Sequence, residues 1–136
     1  MDQSSYRGGA VACVDGVVDT GDDEYPCHNI DVLSRVSMTE LLSIHGVPGQ
    51  EASDVWGWTS PNGDEIAIIG IDAGACFVDI TDPINPVFLG TLPARATHEV
   101  WRDIKVYDHY AYIVGENPPG ESPGHGLQVS HFRYPL

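Results

Sequence analysis

The chain has 136 residues, 42% of them hydrophobic, which is enough for one small packed domain and too few for two ordinary ones. Twenty acidic side chains against six basic ones give a formal net charge of -14, yet only 19% of residues are charged, so the acidity does not come with the apolar poverty of a disordered polypeptide. A surface this negative, with no Lys/Arg stripe, argues against nucleic acid and anionic lipid as partners and leaves basic groups and metal ions open.

No apolar run approaches the roughly 18 residues of a membrane span, and residues 1–9 lack the basic end and apolar stretch of a secretory signal. The first notable stretch is acidic: Asp19, Asp22, Asp23 and Glu24 could offer hard oxygens to calcium, but they lack the alternating acids and fixed glycine of an EF-hand loop, and a solvated acidic loop is the competing reading. Residues 29–34 and 37–42 carry the only helical pattern. Ser37 followed by Glu40 fits a capping box, and Met38, Leu41 and Leu42 fall on one side of a short helix.

Everything after Gly46 reads as strand and turn. Asn62-Gly63 supplies positive φ for a tight hairpin, which predicts antiparallel pairing of residues 55–59 with 65–71. After the turn Asp72-Ala73-Gly74, residues 76–80 form a strand. Residues 81–86 break it with two prolines and two Asx residues, and residues 87–92 form a further strand closed by Pro93. Four short strands in succession make one blade's worth of antiparallel sheet, which cannot bury both faces alone and must recur.

A second copy is visible. Asp54-Val55-Trp56-Gly57-Trp58 aligns with Asp103-Ile104-Lys105-Val106-Tyr107, residues 65–70 align with 109–114, and Gly74-Ala75-Cys76-Phe77-Val78 aligns with Gly126-Leu127-Gln128-Val129-Ser130. Any two β-meanders share part of this pattern, so the alignment is an expectation to be tested against the strand register. It divides the chain into an N-terminal cysteine-containing segment with a short helix (1–50), a first repeat (51–98) and a second, truncated repeat (99–136).

The stretch Phe77-Val78-Asp79-Ile80-Thr81-Asp82-Pro83-Ile84-Asn85-Pro86-Val87-Phe88-Leu89-Gly90 resembles the LVIVD repeat, a propeller-type repeat in which a Val-Asp strand end runs into an Asp-Pro-x-x-Pro turn. Cys13 with Pro26-Cys27-His28-Asn29-Ile30-Asp31, then Asp54-Val55-Trp56-Gly57-Trp58, Trp101-Arg102-Asp103-Ile104-Lys105-Val106-Tyr107 and Gly124-His125-Gly126-Leu127-Gln128-Val129 are together similar to the start of choice-of-anchor B proteins. The resemblance implies an all-β fold of antiparallel β-meander blades, an incomplete propeller-like repeat protein with a short N-terminal helical segment. It also implies an extracellular or cell-surface location and gives no reaction, since the family's activity is not established.

Residues 130–136 lose the repeat pattern, so the chain reads as an N-terminal fragment of such a protein. In that setting Cys13 and Cys27 bridge across their Gly/Asp-rich loop, the alternative being two free thiols in a cytosolic chain. Cys76 reads as a small buried hydrophobe.

Two functional classes follow. The first is a binding module for a protein or glycan at a cell surface, with Trp101, Arg102, Asp103 and His125 as ligand-binding candidates. Arg beside an aromatic can stack and form bidentate hydrogen bonds; the structural alternative has the Asp capping a turn and the Trp packing between blades. The second is an extracellular hydrolase or lyase with a loop-built active site drawing on Asp103 and His125. No Gly-x-Ser-x-Gly, phosphate-cradling or dinucleotide motif is present, and the six His show no paired ligand spacing, so no cofactor is expected beyond the weak calcium candidates.

Overall fold

A computed structural model describes residues 10–21, 23–43, 46–47, 51–95, 100–116 and 124–133. The fold is all-β and antiparallel. A two-stranded hairpin of β1 (Val17–Asp19) and β2 (Glu24–Pro26) and one short helix, α1 (Met38–Leu41), precede two larger sheets. The first sheet has four strands in chain order, β3 (Ala52–Thr59), β4 (Glu65–Ile71), β5 (Gly74–Asp79) and β6 (Val87–Pro93). The second has three, β7 (Arg102–Tyr107), β8 (Tyr110–Gly115) and β9 (Leu127–His131).

The strands expected from period-two patterning are present, and the two copies pair alike. Trp58, Ile66 and Asp79 stand in one row of the first sheet, as Tyr107, Tyr110 and His131 do in the second; Trp56, Ile68 and Phe77 match Lys105, Tyr112 and Val129. The 59–65 hairpin differs from the tight Asn-Gly turn expected. Its connection spans residues 60–64, and of the two only Gly63 has a positive φ, 93°. Ser60 explains the longer loop: its Oγ accepts from the amides of Asn62 and Asp64 and donates to the Asp64 carboxylate, a set of bonds that a two-residue turn has no room for.

The N-terminal segment departs further from expectation. Residues 29–34 are not helical: Asn29 has φ 56°, and Val32 exchanges both backbone hydrogen bonds with Val11, so these residues run extended beside the chain start. Helix α1 begins where expected, with Ser37 Oγ accepting from Glu40 N at 3.1 Å. The β1–β2 hairpin was not legible in the sequence, because each strand is three residues long and β2 is Glu-Tyr-Pro. Asp19 and the Thr20 hydroxyl shape its turn by accepting from the amides of Gly21 and Asp23.

Two cores separate three layers. Leu41, Leu42, Ile71, Cys76 and Val78, with Met38 and Phe88 packed around them, fill the space between the N-terminal segment and one face of the first sheet. Ile68, Ala75, Ile104, Ala111 and Ile113 fill the space between its other face and the second sheet. Trp58 is the largest element of that second contact. It is 5% exposed, stacks on Phe132 with centroids 4.4 Å apart, and donates its indole N–H to the Asp108 carbonyl across the sheets at 3.1 Å. Trp58→Ala should cost about 3 kcal/mol or more of unfolding free energy, since it removes a buried indole and leaves a carbonyl without its donor; urea denaturation measures it.

Candidate functional site

The residues singled out in the sequence separate at the junction of the two sheets. Alternation along β7 places Arg102 on the inward side with Ile104 and Val106, and Asp103 on the outward side with Lys105 and Tyr107. Trp101, just before the strand, is 65% exposed and does not pack between the sheets, unlike Trp58.

Arg102 is 5% exposed. Its Nε donates to the Ile71 carbonyl at 2.7 Å, Nη2 donates to the Asp72 carbonyl at 3.2 Å, and Nη1 lies 3.2 Å from His125 Nδ1. A guanidinium has donors only, so Nδ1 must act as the acceptor, and His125 is held neutral. Burial first, and then the nearby guanidinium charge, lower the His125 pKa; the Ile113 backbone partly opposes them. Two glycines make room for this arrangement. A Cβ at Gly115 would lie 2.9 Å from Arg102 Nη1, and one at Gly70 would lie 3.1 Å from Arg102 Cβ.

The edge of β7 that faces the first sheet is closed by side chains. Ser53 Oγ accepts from Arg102 N at 3.2 Å and Asp54 Oδ2 accepts from Ile104 N at 2.7 Å. Lys105 lies over the Trp56 ring, 4.4 Å from its centroid, and bonds Asp103, which lowers the Asp103 pKa. Thus Arg102 and His125 meet inside the fold while Trp101 and Asp103 face solvent, and the four do not form one ligand-binding cluster. Asp103 and His125, the pair named for acid–base chemistry, stand on opposite sides of the second sheet.

Cys13 and Cys27 form a disulfide. Cys76 is buried in the first core and its thiol is pushed up to about 11 by desolvation, so it stays protonated. Of the acidic stretch, Asp19 accepts from Gly21 N, Asp23 accepts from the Tyr25 hydroxyl, and Glu24 is exposed in β2; Asp22 lies outside the described residues, as do His45 and His98. Among the described residues no group of three His, Cys, Asp or Glu side chains is placed to hold a metal. No helix there is long and apolar enough to cross a membrane.

The sequence reading missed a groove of about 420 Å3 between β6 and β9, floored by Ile66, Phe77 and Phe132 and rimmed by Ser130, His131 and Arg133. The strand β9 was visible in the sequence; that it lies beside β6 was not. Comparison of the chain with protein-family models, curated proteins and solved structures finds no match in any of the three.

Two outcomes are expected from the Arg102–His125 pair. Arg102→Met should cost about 2–4 kcal/mol in urea unfolding by stranding two carbonyls, and Arg102→Lys should not rescue it, because an ammonium cannot span three acceptors in a plane. The second concerns pH. With the folded-state pKa of His125 below its ordinary 6.5, the unfolded chain takes up the proton first on acidification. Stability should therefore hold above about pH 6.5 and fall as pH drops below it, and His125→Asn should flatten that part of the pH profile measured by denaturant titration.

Proposed function

We propose that this chain is part of a secreted or cell-surface repeat protein of the LVIVD type, resembling choice-of-anchor B proteins, and that it acts as a binding module for a protein or glycan rather than as a hydrolase or lyase. The observation that carries the reading is the outward row of the second sheet. In the first sheet, Trp58, Ile66, Ile68 and Phe77 stand on the face that the second sheet covers. Their counterparts in register, Tyr107, Tyr110, Tyr112 and Val129, stand on the face of the second sheet that looks away from the first.

That outward face is open and carries exposed apolar side chains beside the charged pair Asp103 and Lys105. Tyr107 is 77% exposed, Leu127 58%, Val129 53% and Val114 42%. Exposed apolar side chains gathered on one face favour an interaction surface. A further sheet laid on it in the same sense would extend the stack toward a propeller, and blades of that architecture bind partners through their loops and channel. Separation of Asp103 from His125 removes the pair on which the enzyme reading drew, and the Cys13–Cys27 bridge suits an oxidising location.

The test is topological. On intact source cells, an antibody to the purified chain should label the surface, and Cys13 and Cys27 should resist alkylation until reduced. Reduction should then lower the unfolding free energy by about 3 kcal/mol, as expected for a bridge closing a loop of this length, the two cysteines being 14 residues apart. Labelling only after permeabilisation, with both thiols reactive, would overturn the surface assignment.

A further inference from the structure

The two sheets are equivalent row by row but not in strand number: the first has four strands and the second three. In the first sheet β6 lies on the outer edge of β5, with Phe88 opposite Val78 and Gly90 opposite Phe77. Phe88 turns into the first core beside Cys76 and Val78. The counterpart of β5 is β9, in which Ser130 stands where Val78 does and Val129 where Phe77 does. Among the described residues β9 pairs with β8 alone, so its outer edge offers backbone amides and carbonyls with no ladder.

The groove of about 420 Å3 lies beside that edge. Its floor is aromatic and aliphatic, from Ile66, Phe77 and Phe132, with Phe77 edge-on to Phe132 at 6.0 Å. On the opposite wall a Cβ built at Gly90 meets nothing within 4 Å. Ser130 shares the parity of Ile113 and Ala111, so its short side chain points to the inter-sheet side, where the groove is. A strand laid antiparallel on β9 in the β5–β6 register would place the counterpart of Phe88 opposite Ser130 and direct it into this groove.

We propose that the β9 edge and its groove form a strand-acceptor site, which takes an extended, uncharged segment in antiparallel pairing and buries one bulky apolar side chain of that segment over Ile66, Phe77 and Phe132. Backbone pairing supplies affinity and the groove supplies selectivity for the residue opposite Ser130, the usual division of labour in strand addition. The inference rests on the repeat relation between the two sheets and not on a surface location, so it survives if the chain proves to be intracellular.

The chain's own sixth strand is the probe. A labelled peptide spanning residues 83–93 is titrated into the full chain and followed by fluorescence anisotropy and by amide hydrogen exchange. Saturable binding is expected, with new protection in β9. The same peptide with Phe88→Asp should bind on the order of tenfold more weakly or worse, the loss expected for one buried aromatic ring. Ser130→Trp in the chain, which fills the groove, should weaken binding similarly, and Val55→Lys, exposed on β3 at the opposite edge of the first sheet from β6, should leave it unchanged. Should the Ser130 variant not fold, the Phe88→Asp peptide still decides the matter. Absence of saturable binding, equal binding of the two peptides, or protection changes confined to β5, as from exchange with the resident β6, would each overturn the proposal.

Discussion

A guanidinium taken out of water needs acceptors in its own plane, and the packing of the two large sheets depends on where Arg102 finds them. Two are the carbonyls of Ile71 and Asp72, at the end of β4 and in the following turn; the third is His125 Nδ1. These bonds fix the depth at which the second sheet sits against the first. They also propagate. A Cβ at Gly115 would crowd the guanidinium and one at Gly70 would crowd Arg102 Cβ, and the histidine must be neutral, because a donor cannot face a donor. The replacement of a buried ion by apolar groups is often tolerated in protein interiors, but removing it alone strands its partners. Here two of those partners are main-chain carbonyls that no substitution can delete.

Much of the sheet structure was legible in the sequence, and the reason is geometric. Period-two patterning in residues 103–107 and 110–114 survives because one face of each strand meets a core and the other does not, whereas residues 65–71 lie between the two cores and read as a near-continuous apolar run. The N-terminal segment was less legible. Its apolar residues Ile30, Val32 and Leu33 mimic a helical spacing, while Asn29 in the left-handed region and the Val11–Val32 bridge commit it to an extended course. Long-range pairing of that kind has no local signature.

Trp101, Arg102 and Asp103 are adjacent in the sequence without forming one cluster in space. Strand parity separates them: Arg102 shares its side with Ile104 and Val106, and Asp103 with Lys105 and Tyr107. That signal was present in the sequence, since Ile104 and Val106 are the apolar positions of the strand. What no pattern could give was the acceptor set, because Ile71 and Asp72 lie about thirty residues away and contribute carbonyls, which every residue has. The groove beside β9 is hidden for the same reason: it exists only between strands that are distant along the chain.

Charge and packing are linked through the few cations. The chain has six Lys and Arg against twenty acids, and Arg102 is enclosed while Lys105 is spent on Trp56 and Asp103. The net charge is therefore strongly negative, which opposes association of one copy with another. The same economy is seen at the strand edges. The β7 edge is closed by Ser53 and Asp54, two short side chains that cap the amides of Arg102 and Ile104 and leave no ladder for another chain to join. With the β7 edge occupied by Ser53 and Asp54, the two additions proposed for this sheet fall elsewhere, one on the outer face with its tyrosines and valines and the other on the β9 side.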